Sequence, residues 1–205
     1  MSSLTLYTNP MSRGRIARWM LEEVGEPYDT VVLDFNKTIK APDFLALNPM
    51  GKVPTLVHGD VVITEVAAIC AYLADAFSQA GLAPPIAERG SYYRWLFFTA
   101  GPLEAAVTNK AFGFDAPDKA QSLGYGSYDE ALAAVENLLT SERYVCGDRF
   151  TAADVALGSQ LGWGMMFGTI DKRPAFEAYV ERVYSRPAFI RASTLDDAAM
   201  PKEPT

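Results

Sequence analysis

Between residues 3 and 78 the hydrophobic period of this chain switches repeatedly between strand and helix, and beyond residue 85 it stays helical. That switch confines the chain to an α/β unit followed by an all-α unit. Leu4-Thr5-Leu6-Tyr7-Thr8 is a β-prone run ended by the breaker pair Asn9-Pro10. From Ser12 the apolar residues Ile16, Trp19, Met20 and Val24 take up one helical face, and Gly25 supplies a stop. Tyr28 to Leu33, with Val31-Val32-Leu33 inside it, predicts a second strand. Strand, helix and strand in that order make a βαβ unit, which favours a right-handed crossover and a parallel pair.

Asp43 to Leu47 predicts a short helix that stops before Asn48-Pro49. Two β-branched runs, Val53 to His58 and Val61 to Thr64, flank Gly59-Asp60 and predict an antiparallel hairpin. The helix after it carries Val66, Ile69, Cys70, Leu73 and Phe77 at helical spacing. Ser78 to Pro85, with Gly81 and Pro84-Pro85, reads as a linker. Three helical stripes follow: Tyr93, Leu96, Phe97 and Ala100; Leu132, Val135, Leu138 and Leu139; Phe176, Tyr179, Val180 and Val183. The predicted division is a βαβαββα domain over 1–80 and an all-helical bundle domain over 86–205.

Composition removes several function classes. A net charge of -7 disfavours phosphate-backbone binding, so nucleic acid is not an expected partner. Two cysteines without a C-x-x-C and a single histidine, His58, leave no zinc set and no Ser-His-Asp set with a histidine to spare. No metal is expected. No apolar run has the length of a membrane span, and the start shows no charged-then-apolar leader, so a cytoplasmic location is expected.

Three places could carry chemistry. The segment Tyr7 to Arg15 leaves the first strand at its carboxyl end, where open α/β sheets place their ligand crevice. Ser12 there reads either as a helix N-cap or as a hydroxyl donor facing a bound anion beside the positive helix end. Val53-Pro54 interrupts a strand; with a cis bond, the backbone of Val53 faces outward to pair with an extended peptide. Glu65 and Val66 open a helix, and Glu65 reads either as a first-turn acid or as one half of a zwitterion site with the helix N–H groups as the other.

Taken with Asn48 to Leu56, Thr64 to Ala74 and Gly147 to Asp154, these pieces resemble the cytosolic glutathione transferase superfamily, in its bacterial serine-type form. The resemblance implies a thioredoxin-like domain that binds glutathione and a helical domain that contributes the electrophile pocket. It implies Ser12 as the thiol-activating residue, with Tyr7 the alternative. Tyr7, Arg13, Lys40, Lys52, Val53, Pro54, Glu65 and Val66 are the implied glutathione-binding set, with Arg15 a further cation near the peptide. Val66 departs from the family's usual Ser or Thr. No cysteine lies between Thr8 and Arg15, against the cysteine-type branch. Thr151 to Asp154 matches a buried capping box, a folding determinant. The implied activity is conjugation of the glutathione thiolate to hydrophobic electrophiles, with peroxide reduction as an extension. Glutathione is co-substrate, no cofactor is needed, and a homodimer is implied. A non-catalytic binding protein of the same fold and a glutathione-dependent isomerase are the alternatives.

Overall fold

The computed structural model describes residues 3–114 and 116–201. They fall into two compact units, one running to Ala80 and resuming at Arg186, the other Gly81–Ser185.

The first unit is built on β1 (Leu4–Thr8), β2 (Asp29–Val32), β3 (Thr55–His58) and β4 (Val61–Thr64), in the spatial order β2-β1-β3-β4. β1 and β2 pair in parallel, whereas β3 runs antiparallel to both β1 and β4. The helices α1 (Gly14–Val24), α2 (Pro42–Leu47) and α3 (Val66–Ala76) complete the βαβαββα order that the periodicity predicts. α1 and α3 pack on each other, burying Ile16, Ala17, Trp19, Met20 and Leu21 of α1 and Ile69, Cys70 and Leu73 of α3. Gly25 ends α1 at φ 79°, in the left-handed region that glycine adopts without a Cβ penalty, and its N–H closes on the Leu21 carbonyl at 2.9 Å. Tyr7, on the opposite strand face from Leu6, packs on Phe44 of α2 in a small cluster with Leu33, Ile39, Leu47 and Val53.

The last helix departs from the expected boundaries of 1–80 and 86–205. It is Pro187–Ala198, labelled α9 once the five helices of the second unit are counted, and it belongs with the first unit. The reason lies on α1. Trp19 meets Phe189 edge-on at 4.9 Å, and Glu23 takes a two-pronged ion pair from Arg186 at 2.7 Å. Arg18 donates to Asp196 at 2.8 Å with both side chains buried.

The second unit holds α4 (Arg89–Phe98), α5 (Glu104–Phe112), α6 (Tyr128–Ser141), α7 (Ala152–Phe167) and α8 (Pro174–Tyr184). A wide turn at Thr99–Leu103 joins α4 to α5 and accommodates Pro102, which has no N–H to give. The stripes expected on α6 and α8 point inward. The stripe expected on α4 does not: Tyr93, Phe97 and Ala100 are exposed, and the buried face is Tyr92, Trp95, Leu96 and Thr99. Both sets have helical spacing, so in this aromatic-rich stretch the period alone cannot choose the face.

Asp154 is fully buried. It accepts from the N–H groups of Val145 and Thr151 and the Tyr179 hydroxyl, each at 2.8 Å, and from the Thr151 hydroxyl at 3.1 Å. Burial pushes its carboxyl up to about 6, against the pull of those donors. Among the described residues, no helix is long and apolar enough to cross a membrane. Asp154→Ala would strand all these donors in a dry site. Chemical denaturation is expected to show a loss of roughly 3–5 kcal/mol, far above that of an exposed Asp→Ala control.

Candidate active site

Three chain reversals meet at one edge of the sheet. Tyr7 pairs with Thr55 and Thr55 pairs with Thr64, so the carboxyl end of β1, the amino end of β3 and the carboxyl end of β4 lie in one row. The segments entering or leaving that row are Asn9 to Arg13, Lys52 to Pro54, and Glu65 with the start of α3.

In the first segment Ser12 does not itself open the helix. α1 begins at Gly14, with Arg13 as its flanking residue. The Ser12 hydroxyl nevertheless accepts the Gly14 N–H at 2.9 Å and donates to the Asn9 carbonyl at 2.7 Å. It is half-buried and has a cap-like role in this state. Gly14 is required by close approach, since a Cβ there would overlap the Thr8 hydroxyl. Arg13 is exposed at the turn. Arg15 donates from Nε to the Pro10 carbonyl at 2.6 Å and pairs with Asp197 at 2.7 Å, so its charge is already matched.

In the second segment the Val53-Pro54 bond is cis, the condition under which the backbone of Val53 faces outward. Among the described residues, the N–H and C=O of Val53 have no hydrogen-bond partner. Their neighbours are bound: the Lys52 carbonyl takes the Asn48 amide at 2.9 Å and the Thr55 hydroxyl at 3.2 Å. Val53 therefore presents an unpaired strand residue at the row. The Lys40 ammonium donates to the carbonyls of Met50 and Gly51 at 2.8 and 3.2 Å, which makes it a clasp on this loop. The Lys52 side chain is exposed, and its ammonium makes no hydrogen bond or ion pair with another described residue.

In the third segment Glu65 has φ 67° and ψ 125°, the one positive φ outside glycine among the described residues. That conformation costs a residue with a Cβ about 1–3 kcal/mol and persists only where the surroundings hold it. It exposes the Glu65 side chain beside the amino end of α3, whose first amides, from Val66 on, find no acceptor among the described residues. A carboxylate next to free helix N–H groups offers one place for an ammonium and another for a carboxylate. Val66 lacks a hydroxyl, but its N–H serves regardless of its side chain.

Tyr7 takes part differently. Its ring lies 5.7 Å from that of Phe44, and the cluster they share includes Val53. Its hydroxyl has no hydrogen bond to another described residue. The cysteines are not poised as nucleophiles: burial pushes the Cys70 thiol up to about 12 and raises that of Cys146 as well. His58 is a packed residue, stacked on Phe77 with a centroid distance of 5.5 Å and hydrogen-bonded to Tyr72 at 2.8 Å.

Two asparagines that the sequence reading treats only as breakers shape both loops. Asn9 accepts the Met11 N–H at 2.8 Å while donating to the Leu33 carbonyl at 2.7 Å; Asn48 accepts the Met50 N–H at 3.1 Å. Each is an Asx turn ahead of a proline, and the repeated Asn-Pro pair was the available signal.

The site thus joins a hydroxyl, an unpaired extended backbone and a carboxylate with free helix amides, a set suited to a short peptide with a zwitterionic end. Comparison with known proteins agrees. Residues 2–75 match the family model of the glutathione S-transferase N-terminal domain and residues 106–187 that of the C-terminal domain. Glutathione S-transferase 3 of Zea mays is 34% identical, over 92% of each chain. A glutathione transferase of Methylococcus capsulatus shares 31% identity with a TM-score of 0.79, over 95% of this chain and 99% of that one. A sphingomonad glutathione S-transferase solved with glutathione shares 29% identity with a TM-score of 0.78, over 94% and 98%. This chain belongs to the glutathione transferase family.

Proposed function

We propose that the chain binds glutathione along the Ser12, Val53 and Glu65 row and activates its thiol with the Ser12 hydroxyl for attack on a hydrophobic electrophile. The observation that carries this reading is the meeting of three unlike recognition elements at one sheet edge. The unpaired N–H and C=O of Val53, held by Pro54, would pair with the central residue of the peptide. Glu65 and the Val66 amide would take the ammonium and carboxylate of its γ-glutamyl end. Arg13 and Lys52, exposed on the flanking loops, would favour an anionic ligand over the acidic background of the protein.

Activation asks the Ser12 hydrogen to turn from the Asn9 carbonyl to the sulfur. That exchange trades a neutral hydrogen bond for a charge-assisted one, roughly twice as strong. The dipole of α1, whose amino end follows Ser12 directly, adds to the same field. A free thiol titrates near ~8.5, so each unit by which the bound thiol is lowered multiplies the thiolate present at neutral pH about tenfold. The thiolate would then form a carbon–sulfur bond at an electrophilic carbon as a halide leaves or an epoxide carbon–oxygen bond opens. With a peroxide it would attack one oxygen and break the O–O bond to release the alcohol, and a second glutathione would convert the sulfenic acid so formed to the disulfide and water. The exposed Tyr93 and Phe97 of α4 offer an apolar face that supports a two-fold partner copy.

Ser12→Ala is expected to raise the bound-thiol pKa by about 1–2 units and to lower kcat near neutral pH by about 10–100-fold, the worth of one charge-assisted bond. Ultraviolet titration of bound glutathione and a pH–rate profile measure both. Tyr7→Phe is expected to leave the thiol pKa where it is; a rise as large as that of Ser12→Ala would move the role to Tyr7.

At Glu65 the expected order of stability is unusual. With φ positive, Glu65→Gly should be the more stable of the Gly and Ala variants by about 1 kcal/mol. Both should lose glutathione affinity together, as isothermal calorimetry would show. A tighter-binding variant at this position would remove Glu65 from the site.

A further inference from the structure

We propose that the C-terminal helix positions the Ser12 hydroxyl, with Asp197 setting Arg15 and Arg15 holding the Pro10 carbonyl. This rests on the reading of Ser12 given above. The loop from Asn9 to Arg13 has two halves with different anchors. The first half is fixed from within its own sheet, because the Asn9 side chain bridges the Leu33 carbonyl and the Met11 N–H at 2.7 and 2.8 Å. The peptide between Pro10 and Met11 is held from outside, by the 2.6 Å bond from Arg15 Nε to the Pro10 carbonyl. Ser12 follows one residue later, and its hydrogen points at the Asn9 carbonyl on the other side of that proline. A rotation of the peptide between Pro10 and Met11 would therefore move the carrier of the hydroxyl against the Asn9 carbonyl that it must leave.

Arginine can hold one carbonyl in a fixed direction only if its fork is held too. The far nitrogen of Arg15 donates to Asp197 Oδ1 at 2.7 Å. Asp197 in turn sits on a helix end that cannot shift freely. Its neighbour Asp196 is buried and bonded to buried Arg18 at 2.8 Å, and Arg186 and Arg191 bind Glu23 and Glu22 of α1. Asp197 itself is two-thirds exposed, so its pair with Arg15 adds little to folding and is screened by salt. Its consequence is geometric. Asp196 and Asp197 also lie beyond both segments matched by the family models, so the linkage is written in the part of the chain those models leave out.

The competing effect has the opposite sign. If Asp197 acted only through its charge, removing it would leave Arg15 unmatched beside the site and stabilise the thiolate. Positioning requires the reverse, a poorer thiolate when Asp197 is lost. The test compares Asp197→Ala, Asp197→Asn, Ser12→Ala and the Ser12→Ala/Asp197→Ala pair in the full chain. The readouts are the bound-thiol pKa, kcat with an aryl halide acceptor, and KM for glutathione. Asp197→Ala is expected to raise the thiol pKa and lower kcat by about 3–10-fold, the cost of a modest misplacement, with KM changed less than about twofold. Asp197→Asn, which keeps an acceptor oxygen for Arg15, recovers most of the loss. In the Ser12→Ala background, Asp197→Ala changes nothing further. Wild-type behaviour of Asp197→Ala beside an impaired Ser12→Ala overturns the proposal alone, as does a lowered thiol pKa or a full effect added to that of Ser12→Ala. An unshifted thiol in Ser12→Ala overturns the Ser12 reading and this proposal with it.

Discussion

The pairing of Leu6 with Leu56 holds the functional edge of this protein in place. Both side chains are fully buried, and they lie in neighbouring strands one residue below the row of Tyr7, Thr55 and Thr64. A slip of one residue between β1 and β3 would turn Leu6 or Leu56 to the wrong face of the sheet, so burial fixes the register. The register in turn fixes which residues leave the sheet side by side. Ser12, Val53 and Glu65 lie on three separate segments, and none of them is fully buried. The site is a by-product of strand pairing and inherits its precision from it.

Much of the recognition surface is backbone. Val53 offers its own N–H and C=O, and α3 offers the amides that every helix start leaves unsatisfied. What the sequence must supply is the conformation that exposes these groups. Pro54 and the Asn48 turn do so in one loop, and the positive φ of Glu65 does so in the other. This explains how Val66 can stand where a hydroxyl residue is usual. In the proposed binding mode the amide contact would survive the change, and only a side-chain contact would be given up. It also explains why Lys40 is better understood as part of the scaffold: its ammonium is spent on two carbonyls that shape the approach to Val53.

The first unit was legible from the sequence because its signals are local. Gly25, the Gly59-Asp60 turn and the alternation of Leu4, Leu6 and Thr8 each act within a few residues, and the elements appear where those signals put them. Long-range choices were harder to read. Tyr93 and Phe97 are spaced like a buried stripe, yet Tyr92, Trp95 and Leu96 are the ones covered, because the neighbouring helices decide which face is covered. The helix start at Gly14 in place of Ser12 follows from the turn that the Ser12 N–H closes on the Asn9 carbonyl at 3.1 Å, after which the Ser12 hydroxyl caps the Gly14 N–H. Nothing in the residue type of Glu65 announces a positive φ, since the usual bearers are Gly and Asn. Arg15 looked like a free cation only because its partner lies at the other end of the chain.

That distant partner belongs to a wider pattern, which assigns the last helix to the first unit despite its place in the chain. Along α1 the residues Arg15, Arg18, Glu22 and Glu23 meet Asp197, Asp196, Arg191 and Arg186 in turn. The partner numbers fall as those of α1 rise, so α9 runs antiparallel to α1. Two of these pairs, Arg15 with Asp197 and Arg191 with Glu22, keep one side chain well exposed to water and add little each, whereas the third, Arg186 with Glu23, is two-pronged on a carboxylate that is almost buried. The fourth, Arg18 with Asp196, is buried, and burial raises the Asp196 carboxyl more than the nearby guanidinium lowers it. Asp196 Oδ2 has no hydrogen-bond partner among the described residues. Such a pair gives back little of its desolvation cost, and an apolar pair of similar volume would hold the helices together at least as well. What it excludes is misalignment. Sliding α9 by one turn would leave a buried guanidinium facing no carboxylate and take the outer charges away from their partners. The sequence at positions 18 and 196 is thus better matched to setting the register of α9 than to strengthening its attachment.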